Sequence, residues 1–205
     1  MASGNNRSFW QRAAMFYNRA VKGDSAVYEK ICAKMKPYLK KEDDVLELAC
    51  GTGLITHRLG EQVHFWEATD YSEAMIRQAK KEQYPETVHF SVQDATALPY
   101  AAETFHAVVI VNALHVVPDP VKILGETRRV MKTDGILLAP CFIREDGVTR
   151  KMLLANLVGF KTYHKWNAKE YAAFLTENGF EVIEQERIEN GTRYPVCFIA
   201  AKLKQ

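Results

Sequence analysis

The stretch Asp44-Val45-Leu46-Glu47-Leu48-Ala49-Cys50-Gly51-Thr52-Gly53-Leu54 constrains the fold more than any other part of the chain. Val45, Leu46 and Leu48 make a short apolar run that predicts a buried strand. The run ends in two glycines one residue apart, after which the apolar spacing becomes helical. Glycines at a strand-to-helix turn let the backbone come close to a ligand, and the helix that follows directs its free N–H groups to the same place. A second apolar run, His64 to Thr69, ends at Asp70. An acidic residue about 20 positions past a glycine turn, closing the next strand, is the arrangement that holds a ribose by its hydroxyls. The chain reads as a nucleoside binder.

The remaining elements follow from spacing and capping signals. Phe9, Ala13, Phe16 and Ala20, with Trp10, Tyr17 and Val21 alongside, predict an amphipathic helix ended by Gly23. Tyr28, Ile31, Cys32 and Met35 predict a second helix that stops at Pro37. Leu54, Ile55 and Leu59 mark a short helix after the glycine turn, and Ser72 caps the next, which carries Met75, Ile76 and Ala79 inward. Val88 to Val92 and Ala107 to Val111 are further strands, Asp119-Pro120 opens a helix with Val121, Leu124 and Val130, and Gly135 to Cys141 is a fifth strand. Asn167 and Glu170 form a capping box before Tyr171, Phe174 and Leu175, and Gly179 ends that helix. Asn190-Gly191 joins Phe180–Glu189 to Tyr194–Leu203 as a hairpin. Alternating strands and helices predict an α/β fold, Rossmann-like and doubly wound: a mostly parallel, seven-stranded sheet with an antiparallel C-terminal hairpin.

Composition narrows the class. With 205 residues the chain is expected to form one domain with a core of its own. A formal net charge of +2 gives no strong nucleic-acid signal. Cys32, Cys50, Cys141 and Cys197 lie far apart, which fits reduced, mostly buried thiols and a cytoplasmic protein, and no metal site is expected. No apolar run approaches the ~18 residues of a membrane span, and no signal-peptide core is recognisable.

Glu47-Leu48-Ala49-Cys50-Gly51-Thr52-Gly53 resembles the first motif of the class I S-adenosylmethionine-dependent methyltransferases. Ala68-Thr69-Asp70-Tyr71-Ser72 with Met75 resembles the second, and Val92-Gln93-Asp94-Ala95 followed by Leu98-Pro99 resembles the third. The likeness spans roughly residues 40–140, extends more weakly to the end of the chain, and is strongest to small-molecule enzymes related to ubiquinone and menaquinone biosynthesis methyltransferases. It implies S-adenosylmethionine as cofactor, with Glu47 near the methionine part, Asp70 on the ribose hydroxyls and Asp94 on the adenine amino group. It adds Ala49, Cys50, Gly51, Gly53, Tyr71, Met75, Ala95 and Asn112 to the cofactor set. A sulfonium nucleoside carries no phosphate, which accords with acids and glycines rather than Lys or Arg. Thr56 in place of the third dinucleotide glycine further disfavours NAD. Ala49 for the first glycine and His106 for an acid before the fourth strand depart from the family pattern.

The resemblance also implies a division into an N-terminal helical cap (1–40), a cofactor core (41–142), a lid insertion (143–167) and a C-terminal helix and hairpin (168–205). His115 is the candidate catalytic base, or equally a histidine supporting the cofactor loop. Tyr17, His115, Tyr163, His164 and Trp166 are the expected acceptor contacts, with core packing the alternative reading. Cys141 is read as a buried thiol in preference to a nucleophile. The apolar insertion containing Met152, Leu153, Leu154, Leu157, Val158 and Phe160 suggests an apolar or aromatic small-molecule acceptor, with packing, homodimerisation or loose membrane contact as other uses. The chain is expected to be a monomer or homodimer. An RNA- or protein-modifying enzyme and a non-catalytic cofactor-binding relative stand as the alternative functions.

Overall fold

The computed structural model describes residues 8–15, 25–144, 162–189 and 195–205. Its helices are α1 (8–15), α2 (Ser25–Met35), α3 (Thr56–Leu59), α4 (Glu73–Ala79), α5 (Pro120–Val130) and α6 (Ala168–Glu177). The strands are β1 (Asp44–Leu48), β2 (Phe65–Asp70), β3 (Val88–Val92), β4 (Phe105–Ile110), β5 (Met131–Leu138), β6 (Cys141–Phe142), β7 (Phe180–Ile188) and β8 (Val196–Leu203).

All strands join one sheet in the order β3-β2-β1-β4-β5-β8-β6, with β7 also paired to β8. β1, β2, β3, β4 and β5 are parallel, whereas β8 runs antiparallel to β5, β6 and β7. Leu137↔Ala201, Leu138↔Ala200, Cys141↔Cys197 and Phe142↔Val196 keep one register, so β6 continues β5 past Pro140. Proline has no N–H for the ladder, which explains the break. Counted this way the sheet has the seven expected strand positions, with the antiparallel pair at its C-terminal side. The turn at Asn190-Gly191 lies outside the described residues.

The core divides by the strand period of two. Val45, Trp66, Ala68, Ala107 and Val109 face the side covered by Ile31 and Met35 of α2. Leu46, Leu48, Val108, Ile110 and Leu137 face the side covered by Leu124 of α5 and by Tyr171 and Leu175 of α6. Helix ends follow local chemistry: the Ser72 hydroxyl accepts the Met75 N–H, Asp119 accepts that of Lys122, and Asn167 with Glu170 makes a full capping box. Gly179 closes α6 at φ +87°, where a side chain would press on the Arg128 guanidinium.

Two local expectations change. Val121 is 55% exposed, and Ile123 and Thr127 join Leu124 and Val130 on the buried stripe of α5. His106 lies within β4 rather than before it, because pairing already begins at Phe105. Its Nδ1 accepts the Asp44 N–H at 2.9 Å and its Nε2 lies 2.7 Å from Lys132 Nζ, so it ties together the entrances of three adjacent strands.

The chain passes from β1 through β2 to β3 on one side, then returns to β4 on the other side of β1. Ligands of open α/β sheets bind at the carboxyl ends of the strands where the order reverses. Here that is the gap between β1 and β4.

Candidate functional site

A cavity of about 340 Å³ opens at that switch point. This lies within the volume range of small-molecule sites. Its floor is made by the strand ends: Leu48 and Ala49 after β1, Thr69 and Asp70 on β2, Gln93 and Asp94 after β3, and Val111 and Asn112 after β4. One end carries Gly51, Tyr71, Met75, Ala95 and Thr96; the other is walled by Leu114, Val116, Val117, Pro118 and Ile123, with Asp119 and Lys122; Trp10 of α1 also lines the cavity.

The glycine turn owes its shape to left-handed backbone at Ala49 (φ 56°), Gly51 (57°) and Gly53 (82°). At Gly53 space also favours glycine, since a Cβ would sit 2.9 Å from the Tyr84 hydroxyl. Ala49 adopts a conformation that costs an L-residue roughly 1–2 kcal/mol. Its presence there is therefore tolerated strain.

Asp70 accepts the Gly51 N–H at 2.9 Å on Oδ2 and the Ser72 N–H at 2.7 Å on Oδ1. The carboxylate thus locks the end of β2 to the glycine turn while lining the cavity. Burial pushes its pKa up to about 6, although both backbone N–H groups oppose the rise. Asp94 receives the Thr96 N–H (2.9 Å) and hydroxyl (2.7 Å), both on Oδ1. Gln93 Nε2 reaches the Ser91 hydroxyl at 3.4 Å, and Ser91 donates to the buried Glu67 carboxylate, which also receives the Tyr100 hydroxyl. Asn112 stands at φ 52°, its backbone N–H bound to the Pro140 carbonyl. Neither polar atom of its buried carboxamide has a partner among the described residues.

Among the residues expected to hold the cofactor, Ala49, Gly51, Asp70, Tyr71, Met75, Asp94, Ala95 and Asn112 line this cavity. Glu47, Cys50 and Gly53 do not. Glu47 alternates with Leu48 along β1, so its side chain enters the core opposite the cavity face. There it accepts the Thr56 hydroxyl at 2.5 Å and the Trp66 indole N–H at 2.9 Å. Burial raises its pKa from 4.5 to about 7 against those two bonds. Cys50 is buried with its Sγ 3.7 Å from the Gly51 carbonyl, and burial pushes its thiol well up.

The expected acceptor contacts gather elsewhere. His115 sits in the 3-10 turn Leu114–Val116, outside the cavity lining, with Nδ1 3.4 Å from Cys141 Sγ and its ring edge-on to Phe142. Burial lowers its pKa to about 4, with a further push from His164, so it is neutral at pH 7 and a weak base. Its carbonyl accepts the N–H groups of Tyr163 and His164. His164 stacks on Trp166 at 4.9 Å, and Trp166 stacks on Phe174 at 4.7 Å. His115, Tyr163, His164 and Trp166 therefore form one cluster beside the 114–116 turn, and none of them reaches the cavity wall. The Cys141 thiol is buried and pushed well above its ordinary range, as expected of a packing residue. Tyr17 and most of the insertion, 145–161, lie outside the described residues.

Trp10, Gln93, Thr96, Asp119 and Lys122 line the cavity without having been singled out as site residues. Gln93 and Thr96 flank the Asp94 motif and were within reach of sequence reading. Trp10 was not, because an aromatic on an amphipathic helix reads as core. Among the described residues there is no cluster of three metal-ligating side chains and no helix long and apolar enough to cross a membrane.

Residues 45–135 match the family model of a methyltransferase domain. Together with the strand order and the acids closing or following β2 and β3, this match supports a class I S-adenosylmethionine-dependent methyltransferase core. Within that class the chain is similar to the ubiquinone and menaquinone biosynthesis methyltransferases. It is 34% identical over 114 residues to the demethylmenaquinone methyltransferase of Lactobacillus johnsonii, covering 52% of this chain and 46% of that one. The chain spans less than half the length of the curated relatives it matches. In fold it is similar to the methyltransferase complexed with the Haloferax volcanii Trm112 activator (TM-score 0.82, 17% identity, 96% of this chain and 98% of that one). It is also similar to the Burkholderia thailandensis 1,6-didemethyltoxoflavin-N1-methyltransferase, whose structure holds its substrate and S-adenosylhomocysteine (TM-score 0.80, 18% identity, 99% and 89%).

Proposed function

We propose that this chain transfers a methyl group from S-adenosylmethionine to a small, apolar or aromatic acceptor. The observation that carries the proposal is the asymmetry of one cavity. Its β2–β3 end presents the carboxylates of Asp70 and Asp94, and its β4–α5 end is walled by Leu114, Val116, Val117, Pro118 and Ile123. The acids suit the ribose hydroxyls and adenine amino group of a nucleoside without phosphate, and among the described residues the one Lys or Arg lining the cavity is Lys122, on α5. The relatives that act on quinone precursors support the apolar acceptor.

The cofactor supplies an electrophilic methyl group on a sulfonium centre. The residues of this chain hold the nucleoside, orient the acceptor in line and exclude water. The acceptor lies against the apolar wall, with Trp10 the aromatic side chain that the N-terminal helix adds to the cavity. The only titratable side chains among the described residues at that end are Asp119, engaged as the cap of α5, and Lys122. His115, between two wall residues, is itself outside the lining and weakly basic, so we assign it to holding the 163–166 segment. The acceptor atom, O, S, N or C, then belongs to a group nucleophilic without a strong base, such as a thiolate, an amine or a stabilised phenolate reacting at oxygen or ring carbon. The cap (1–40), the lid (143–167), a cytoplasmic location and a monomeric or homodimeric state belong to the same reading.

The test is transfer of labelled methyl to cell extract separated into small molecules, RNA and protein. Label in apolar small molecules is the expected result; label confined to RNA or protein would overturn the acceptor assignment.

A further inference from the structure

The β4–α5 end of the cavity carries a cation that no acid among the described residues answers. Asp119, Lys122 and Ile123 line the cavity, whereas Val121 is 55% exposed and Leu124 is in the core. Positions three and four apart share a helix face, so the first turn of α5 turns that face to the cavity. Asp119 is engaged there as the cap, its Oδ1 accepting the Lys122 backbone N–H at 3.1 Å. The Lys122 ammonium has no hydrogen bond or ion pair among the described residues. Glu126, one turn further along, does not supply one. Its carboxylate receives Arg129 at 2.8 Å on each oxygen and the Leu98 N–H at 2.7 Å. Arg129 is the first cause of its lowered pKa and Lys122 the last. The wall beside Lys122 is Leu114, Val116, Val117, Pro118 and Ile123, and apolar walls let a charge act more strongly than on an open surface.

We propose that Lys122 makes this end of the cavity selective for acceptors that carry a negative charge. Such an acceptor lays an apolar or aromatic body on the wall and sets an anionic group, a carboxylate, phenolate or thiolate, at the ammonium. The inference rests on the proposed function, in which the acceptor occupies the β4–α5 end. Charge would also orient the molecule, because Asp70 and Asp94 at the opposite end repel an anion. Asp119 faces the same end as Lys122, but its carboxylate is drawn to the N-terminus of α5, where the helix dipole offsets its charge. A neutral acceptor of the same shape would fill the wall equally well and leave the ammonium to water.

Two probes of one shape separate charge from contact: 2-naphthoate, an anion at neutral pH, and 2-naphthamide, its uncharged counterpart. Each is titrated calorimetrically into the S-adenosylhomocysteine complex of the wild-type chain, Lys122→Met and Lys122→Arg. Methionine keeps an apolar stem without the charge, and arginine keeps the charge. 2-Naphthoate should bind the wild-type complex about fivefold more tightly than 2-naphthamide, the ratio expected of one partly exposed charge pair. Lys122→Met should erase that preference while 2-naphthamide stays within about twofold, and Lys122→Arg should keep it. Equal affinity for the two probes in wild type, as from a lysine that only lays its stem on the wall, would overturn the assignment and leave the proposed function standing. A preference that survives Lys122→Met would do the same. Loss of S-adenosylhomocysteine binding in Lys122→Met would also overturn it, by placing the ammonium at the cofactor. A wild-type complex that binds neither probe would overturn both the role of Lys122 and the apolar or aromatic acceptor.

Discussion

Glu47 offers a sharp test of how the glycine-turn strand is built, because its carboxyl is buried and held at about 7 instead of 4.5. Desolvation is the dominant cause, opposed by the bonds from Thr56 and Trp66. A carboxyl whose folded pKa is raised stabilises the fold fully below its unfolded pKa and loses that contribution as pH climbs through the folded value. The window therefore runs from about 4.5 to 7. At about 1.4 kcal/mol per pH unit, the contribution lost across it is on the order of 3 kcal/mol. Glu47→Gln keeps the shape and a hydrogen-bond acceptor for Thr56 and Trp66 but cannot ionise. Urea unfolding of both proteins at several pH values isolates this group together with its coupling to Asp70, since titrations that do not feel Glu47 cancel in the difference. Relative to wild type, Glu47→Gln should gain on the order of 3 kcal/mol between pH 4 and pH 8. A difference that stays flat with pH would refute the burial of an acid with a raised pKa at this position.

Other substitutions probe the same architecture. Ala49→Gly should stabilise the protein by about 0.5 kcal/mol, the relief of left-handed strain exceeding the added chain entropy, as read by chemical denaturation. Gly53→Ala should destabilise it by about 2 kcal/mol through its φ of +82° and the 2.9 Å approach to Tyr84, and should weaken S-adenosylhomocysteine binding as the turn shifts. Trp10→Ala should leave S-adenosylhomocysteine affinity within about threefold yet lower methyl transfer at saturating cofactor, because acceptor positioning alone is damaged.

The parts of this chain legible from sequence were those set by near neighbours. The apolar run before two glycines, the acid closing the next run, and the caps at Ser72, Asp119 and Asn167 all depend on residues within a few positions, and the structure shows the elements they mark. Glu47 shows where motif reading stops. Its motif suggests a ligand contact, but strand alternation turns it into the core when Leu48 faces the cavity, and only the packed sheet fixes which face that is. Trp166 likewise packs on α6 and carries His164 stacked upon it, away from the cavity lining, a choice made by Phe174 and Tyr171 from a distant element. Trp10 reaches the cavity by tertiary placement that no local spacing encodes. The strand expected over Gly135–Cys141 is interrupted at Pro140 and runs on to Phe142, a continuation that only the register supplied by β8 reveals.

Calorimetric titration at pH 8 tests the central claim most directly, with Asp70 ionised above its pKa of about 6. S-adenosylhomocysteine should bind the wild-type chain at one site and NAD should not bind. Asp70→Ala should weaken S-adenosylhomocysteine binding by more than about tenfold, through loss of a charged hydrogen-bond acceptor worth on the order of 2 kcal/mol. Equal binding of NAD, or an Asp70→Ala affinity equal to wild type, would contradict the reading of this cavity as a sulfonium-nucleoside site.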